Sequence, residues 1–494
     1  MTAAPEGETD DGLLAEVVQK SSVGIAAFIL ERVLLTGVAY VVTTILGAAA
    51  YGFLSVLVRG ETISRNLVAG LGDGYTRTVP GVSASARRTL LSVGTVGFVA
   101  VWAVVAGLVV AFRGDIIAAT LLEPRHERGL VLFALGLLPF LLLRNFRDML
   151  RALRRIKLAM LVSRIFAPLA LLVGVVAVVA AGGRSLFSLW VGVVGVVLVL
   201  TVVGALLLFS STAVQFGSVR THRQVVRDFL RYSADTTGVA TLELVQRRAV
   251  FVVMALYLSP VAAGAFSLSV VVALVVRWPL SGVNGILPPI AATLYQEGRT
   301  QTLQRLYRQT SRLATVAATP AFVLGYAYAP DLLAVFNDAY ARQATVLRVV
   351  LVAQYAATVF GSVGLLLLMT DNERASLLTQ VLNASVALPL MVLLTARFGP
   401  LGLGVAYLLS LLVNNTTELL VLYFRDGLAP FSREQGYTVL SVLPAIYALL
   451  SVRPAAGAPA TLALAVLVFA VYAWLGREFL LRSADRAAVR ALVT

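Results

Sequence analysis

Six arginines stand inside apolar runs: Arg32, Arg59 and Arg65 near the start of the chain, and Arg247, Arg248 and Arg277 near its middle. A charge at membrane depth is costly unless it meets water, a partner or an anionic ligand. Guanidinium forks match phosphate oxygens in shape and stay charged at any physiological pH. The chemistry these residues suit is therefore capture of a phosphate-bearing anion. The arginines also belong to a repeat: Gly52, Ser55, Arg65 and Gly70 recur as Gly264, Ser267, Arg277 and Gly282, at a constant offset of 212 residues. Two copies of one hydrophobic module, each with an arginine in its apolar run, suggest two lobes facing a shared polar cavity.

Internal ion pairing is the open alternative. Glu61 and Arg65 are four residues apart, as are Glu243 and Arg247, so each pair shares a helix face and could neutralise itself. Glu31 could pair with an arginine on a neighbouring helix. Arg32, Arg248 and Arg277 have no obvious partner on their own helix, which makes them the better candidates for holding a substrate. Glu31, Asp235, Glu243 and Glu418 are the carboxylates at or near membrane depth that could couple movement to protons or sodium. Structural pairing is the competing role for each, and Asp235, next to Thr236 and Thr237, could cap a helix starting at 233.

Composition narrows the class. Of 494 residues 59% are hydrophobic and 13% charged, with a mean hydropathy of +0.88. That is too little polar surface for a water-soluble globule of this size, so the chain reads as an integral membrane protein. The net charge of +15 would suggest nucleic acid in a soluble chain, but here the basic residues collect in short loops between apolar blocks. With no Cys, and with His126 and His222 far apart, no metal site, thiolate or cofactor is expected. A phosphate-cradling Gly-Lys-Ser loop is absent, so any energy input must come from ions, the membrane potential or a substrate gradient.

The elements that must position the arginines are helices. Uncharged runs of 24, 22 and 23 residues lie between Arg88 and Arg113, Arg348 and Asp371, and Arg453 and Arg477. Each suffices for the roughly 20 helical residues that cross a bilayer. Polar and apolar positions do not alternate, which argues against a barrel. Fourteen helices are predicted, at 21–46, 50–73, 89–112, 129–147, 158–181, 186–209, 233–257, 262–285, 310–329, 346–369, 375–396, 401–423, 436–452 and 457–476. With the N-terminus in the cytoplasm, 23 basic residues fall on the inner side and 8 on the outer. That asymmetry supports cytoplasmic termini and an even number of crossings. The acidic first 19 residues are unlike a cleaved signal peptide.

The expected organisation is an all-α membrane protein of about 14 spans. It comprises a tail (1–19), an N-lobe of helices 1–6 (20–215), a C-lobe of helices 7–12 (216–425), and two extra C-terminal helices (426–494). No loop is long enough for a separate soluble domain. Pro279, Pro288, Pro289 and Pro320 interrupt apolar runs, and Gly70, Gly72 and Gly74 close the second helix; kinks and small residues suit a rocking bundle and a static one alike. The basic segment Arg144–Lys157 could touch anionic headgroups, although topology alone would explain it.

The order of several stretches resembles the polysaccharide transporter, or lipid-linked oligosaccharide flippase, branch of the multidrug, oligosaccharidyl-lipid and polysaccharide exporter superfamily. These are ILGAAAYGFLSVLV before GLGDGYTRTVP, VAAGAFSLSVVVAL in the second copy, ILPPIAATLYQEGRTQTLQRLYRQTSRL with Pro320 downstream, DLLAVFNDAY, and RFGPLGLGVAYLLSLLV. The resemblance runs from about residue 20 to 425. It implies two six-helix lobes around a cavity that opens alternately to either side, and movement of polyprenyl-phosphate-linked sugars from the cytoplasmic to the outer leaflet. Cavity arginines in the first, second and eighth helices of related lipid flippases match Arg32, Arg65 and Arg277 here. Where relatives commonly carry an acidic residue in the seventh helix, this chain has Arg247 and Arg248, which favours an anionic cargo.

The resemblance implies a monomeric, multi-pass protein of the plasma membrane that makes and breaks no covalent bond. Its implied partners are a lipid-linked glycan, membrane lipids and glycosyltransferases of the same pathway, with no nucleic acid. Two other functions compete. A cation-coupled drug exporter of the same superfamily should favour acidic and aromatic cavity residues, and a membrane-embedded glycan polymerase or ligase should carry a sizeable outer loop with catalytic arginine or histidine.

Overall fold

A computed structural model describes residues 29–153, 155–212, 222–284, 287–452 and 458–475. These residues form helices and turns, with no strand among them. Helix packing separates the chain into two bodies, one spanning Leu30–Ser267 and the other beginning at Leu268.

In the first body, α1 covers 29–45, followed by α2 (Ala48–Asn66), α3 (Ala69–Thr78), α4 (Ala84–Ala111), α5 (Arg113–Ala119), α6 (Glu127–Ala152), α7 (Ile156–Leu161), α8 (Ala167–Ala180), α9 (Leu186–Thr212) and α10 (Arg223–Tyr257). Then α11 (Pro260–Ala273) crosses the boundary. The second body continues with α12 (Trp278–Val283), α13 (Leu287–Gln296), α14 (Thr300–Ala327), α15 (Ala329–Ala334), α16 (Asp338–Ala341), α17 (Ala344–Val359), α18 (Val363–Met369), α19 (Glu373–Asp426), α20 (Arg433–Val452) and α21 (Ala458–Leu475). Among the described residues, six stretches are long and apolar enough to cross a membrane, and the last of these, Arg374–Asp426, is 53 residues long. At about 1.5 Å per residue that length suffices for two crossings. It bends at Gly399, whose φ of 58° and ψ of −137° leave the helical region just before Pro400. The predicted helices 375–396 and 401–423 are its two legs.

Three predicted spans are interrupted. The span 50–73 divides at Leu67 and Val68 into α2 and α3. The span 262–285 passes through a 3-10 turn, Leu274–Arg277, into α12, where Pro279 lacks the N–H a continuing helix would use. The span 346–369 breaks at Gly361, φ +67°, between α17 and α18. Hydropathy runs straight through all three because the breaking residues are themselves apolar or small. Conversely, α10 begins at Arg223 rather than 233, since the amphipathic stretch before it is helical too. Asp235 therefore lies well inside α10, where an N-cap role is unavailable to it.

The core of the first body gathers Val68, Leu71, Tyr75, Leu90, Phe98, Leu141 and Phe229. A polar pin crosses it: the Tyr75 hydroxyl donates to Asn145 Oδ1 at 3.0 Å, and Asn145 Nδ2 donates to Thr95 Oγ1 at 3.0 Å, joining α3, α6 and α4. Buried amides and hydroxyls need such partners, since an unmet one costs about 1–3 kcal/mol. Trp190 of α9 packs beside Phe133 and Phe140 of α6, at centroid distances of 5.1 and 5.8 Å. The second body has its own core of Leu287, Leu303, Leu306, Tyr307, Leu366, Leu367 and Leu422. Outward faces of α4, α9 and α19 expose Val104, Leu206, Leu378 and Leu393, as helices in lipid do.

Candidate functional site

The i,i+4 spacing of Glu61 and Arg65 produces the ion pair it permits: Arg65 Nε lies 2.5 Å from Glu61 Oε1. The carboxylate is almost fully enclosed, its side chain 5% exposed, while the guanidinium is 34% exposed. Arg65 therefore keeps one edge for another anion. Its position follows from the break after α2, which ends one residue beyond it.

A second charged cluster forms at the C-terminal end of α6. Asp148 is buried and collects three arginines of its own helix: Arg144 at 3.4 Å, Arg147 at 2.6 Å and Arg151 at 3.7 Å. Arg147 reaches one carboxylate oxygen with both Nε and Nη2. Helix α3 closes over this cluster at Gly72, where a Cβ would lie 2.2 Å from Asp148 Oδ2. No residue but glycine fits there without moving the carboxylate. The two clusters feel one another, for Arg144 lies within electrostatic range of both Glu61 and Arg65. Four guanidinium groups face two carboxylates, an excess of positive charge.

Arg59, six residues before Arg65 on α2 and so on another face, stacks over Phe251 of α10 with its Cζ 4.1 Å from the ring centroid. Such a contact contributes roughly 1–2 kcal/mol when shielded from water. Arg32 is half-buried on α1 beside the half-buried Glu31. In the second body Arg277 is half-buried and ends the 3-10 turn ahead of α12. Both arginines of the repeat, Arg65 and Arg277, thus stand at an interruption of their helix. Glu418 of α19 is buried, and Gly364 of α18 leaves room for it: a Cβ there would meet Glu418 Oε2 at 2.8 Å. Asp235, Glu243, Arg247 and Arg248 have their backbones on α10, and their side chains lie outside the described residues.

Composition and hydropathy pass over Arg144 and Asp148, because their segment reads as a basic helix end. The spacing test that finds Glu61 and Arg65 would have found them as well. Arg312 on α14 escapes notice for the same reason. It is 1% exposed and lies 3.8 Å from Glu434 of α20. Beside it, Gln435 Nε2 donates to Thr315 Oγ1 at 3.0 Å and to the Val359 carbonyl at 2.9 Å, fastening α20 to α14 and α17. Among the described residues there is no group of three or more metal-ligating side chains.

Residues 95–343 match a family model described as polysaccharide biosynthesis protein. The fold is similar to those of solved membrane transporters, three of which follow. The lipid II flippase MurJ in an inward closed conformation gives a TM-score of 0.69 at 10% identity, covering 93% of this chain and 100% of that one. An inward-facing multidrug resistance MATE transporter of the MOP superfamily gives 0.63 at 12% identity, covering 86% and 96%. The MATE transporter VcmN of Vibrio cholerae in its bent form gives 0.52 at 12% identity, covering 89% and 98%. No curated protein matches the chain.

Proposed function

Because the chain belongs to the polysaccharide biosynthesis protein family and has the fold of MOP-superfamily flippases and exporters, we propose that it flips a polyprenyl-phosphate-linked oligosaccharide across the plasma membrane. The movement runs from the cytoplasmic to the outer leaflet, for surface polysaccharide or glycoprotein synthesis. The observation that carries this reading is the surplus of guanidinium over carboxylate around Arg65, Arg144 and Asp148. A phosphate headgroup can be held there by charge-assisted hydrogen bonds while the isoprenoid tail stays in lipid.

On this reading the lobes are residues 20–215 and 216–425, with 426–494 outside the repeat; fourteen crossings put both termini on one side, and the excess of basic residues in the loops of that side makes it the cytoplasm. The protein works as a monomer, alongside the glycosyltransferases that build its cargo. Arg32, Arg65 and Arg277 bind the phosphate, assisted by Arg59, Arg247 and Arg248. Glu31, Asp235, Glu243 and Glu418 are the groups through which an ion could couple.

The test is leaflet-resolved detection of labelled lipid-linked glycan in membranes carrying the wild-type chain or Arg277→Ala. Outward appearance should stop in the variant while the protein still inserts; undiminished flipping would overturn the assignment. The likeness to MATE transporters favours one second reading, export of a cationic drug. Extrusion of ethidium by the same vesicles, with no glycan movement, would select it.

A further inference from the structure

A cavity of about 480 Å³ opens between the end of α3 and the start of α10, lined by Arg77, Thr78, Asp228, Arg231 and Tyr232 among others. None of Arg65, Arg144, Arg147 and Arg151 is among its lining residues. The guanidinium of Arg77 rests over the Tyr232 ring, its Cζ 4.2 Å from the centroid. That contact fixes the direction of the fork without consuming its charge, since an aromatic face, unlike a carboxylate, leaves the N–H edge available. Neither Arg77 nor Arg231 forms an ion pair with any described residue. Both are exposed to solvent, as is Asp228.

Asp228 is the one acidic side chain of the wall, and its oxygens lie 3.2 and 3.4 Å from the Gln224 amide nitrogen one turn earlier. Two guanidiniums and one carboxylate give the cavity a single net positive charge. Thr78, whose hydroxyl is a neutral donor by chemistry, is also in the wall. An oriented fork, a second guanidinium and a hydroxyl are the donors that phosphate oxygens require, and a net charge of one matches a phosphodiester monoanion.

We propose that this cavity binds a phosphate-bearing anion, either the headgroup of an anionic phospholipid or free phosphate, at a site separate from Arg65 and Arg277. Arg77 and Arg231 hold the phosphate oxygens, Tyr232 keeps Arg77 in place, and Asp228 limits the charge that is accepted.

The purified full chain, titrated with phosphatidylglycerol, phosphatidylcholine and inorganic phosphate and read by native mass spectrometry, tests this. Phosphatidylglycerol should bind tightly to the wild type and at least tenfold more weakly to the Arg77→Gln/Arg231→Gln double variant. The exposed arginine variant Arg184→Gln should bind as the wild type does, which separates a site from a general loss of charge. Phosphatidylcholine, whose own cation neutralises its phosphate, should bind weakly to all three. Asp228→Asn should tighten phosphatidylglycerol binding several-fold, and Tyr232→Phe should preserve it. Binding of inorganic phosphate alone, lost in the double variant, would identify free phosphate as the ligand. Equal retention of both anions by the wild type and the double variant, or no binding of either, would overturn the proposal.

Discussion

Gly72 of α3 lies flat against the Asp148 carboxylate of α6, leaving no space for a methyl group between them. The contact seals a carboxylate that three arginines of its own helix surround, and so fixes where the positive charge of α6 is presented. Small residues at helix crossings commonly let backbones approach. Here the approach also sets the geometry of an ionic cluster.

Gly72→Ala should therefore do more than crowd a helix crossing. Overpacking of this kind costs about 1–3 kcal/mol, and the displaced Asp148 would release Arg144 and Arg147. A lowered thermal midpoint in detergent should appear together with weaker binding of an anionic lipid-linked substrate. Unchanged stability would show that α3 can slide to accept the methyl.

Removing Arg65 strands the enclosed Glu61 carboxylate, which Arg144 relieves only from a distance. Breaking a buried pair from one side costs roughly 3–5 kcal/mol, and about 1–3 is expected here because Arg65 is a third exposed. The double variant Glu61→Gln/Arg65→Gln should recover most of that stability, since no charge is then left alone. A double-mutant cycle by chemical denaturation reads the difference. If the proposed function holds, stability returns in the double variant but flipping does not.

Two glycines separate backbone strain from crowding. Gly399 has φ +58° with nothing near its would-be Cβ, so Gly399→Ala should cost about 1–3 kcal/mol from backbone conformation alone. Gly361 has φ +67° and a would-be Cβ 2.1 Å from Ser311 Oγ. Gly361→Ala should lower the thermal midpoint further than Gly399→Ala. The reverse order would mean that α17 and α18 reorient freely about their junction.

Helix α20 is held to α14 and α17 by Gln435 as well as by apolar contact. Gln435→Ala removes both bonds and leaves the Thr315 hydroxyl and Val359 carbonyl short of a donor. A loss of about 1–3 kcal/mol is expected, seen as faster proteolysis of the segment that follows α19. Gln435→Glu should be worse, because it replaces the donating amide with an acceptor.

The local properties of this protein were written in its sequence. Hydropathy marked helices long enough to span a bilayer, and four-residue spacing marked the Glu61–Arg65 pair, because each is a property of one helix. The same spacing held the Arg144–Asp148 pair in plain view. Tertiary structure alone decided that Gly72 seals Asp148, that Arg59 lies on Phe251, and that the buried Arg312 approaches Glu434. These contacts join residues on different helices, and they depend on the rotation and depth at which each helix packs. Every face of an apolar helix looks alike to hydropathy, so only the interlocking of side chains fixes that rotation. The breaks at Val68 and Gly361 arise in the same way, where packing overrides an apolar run that would otherwise continue as helix.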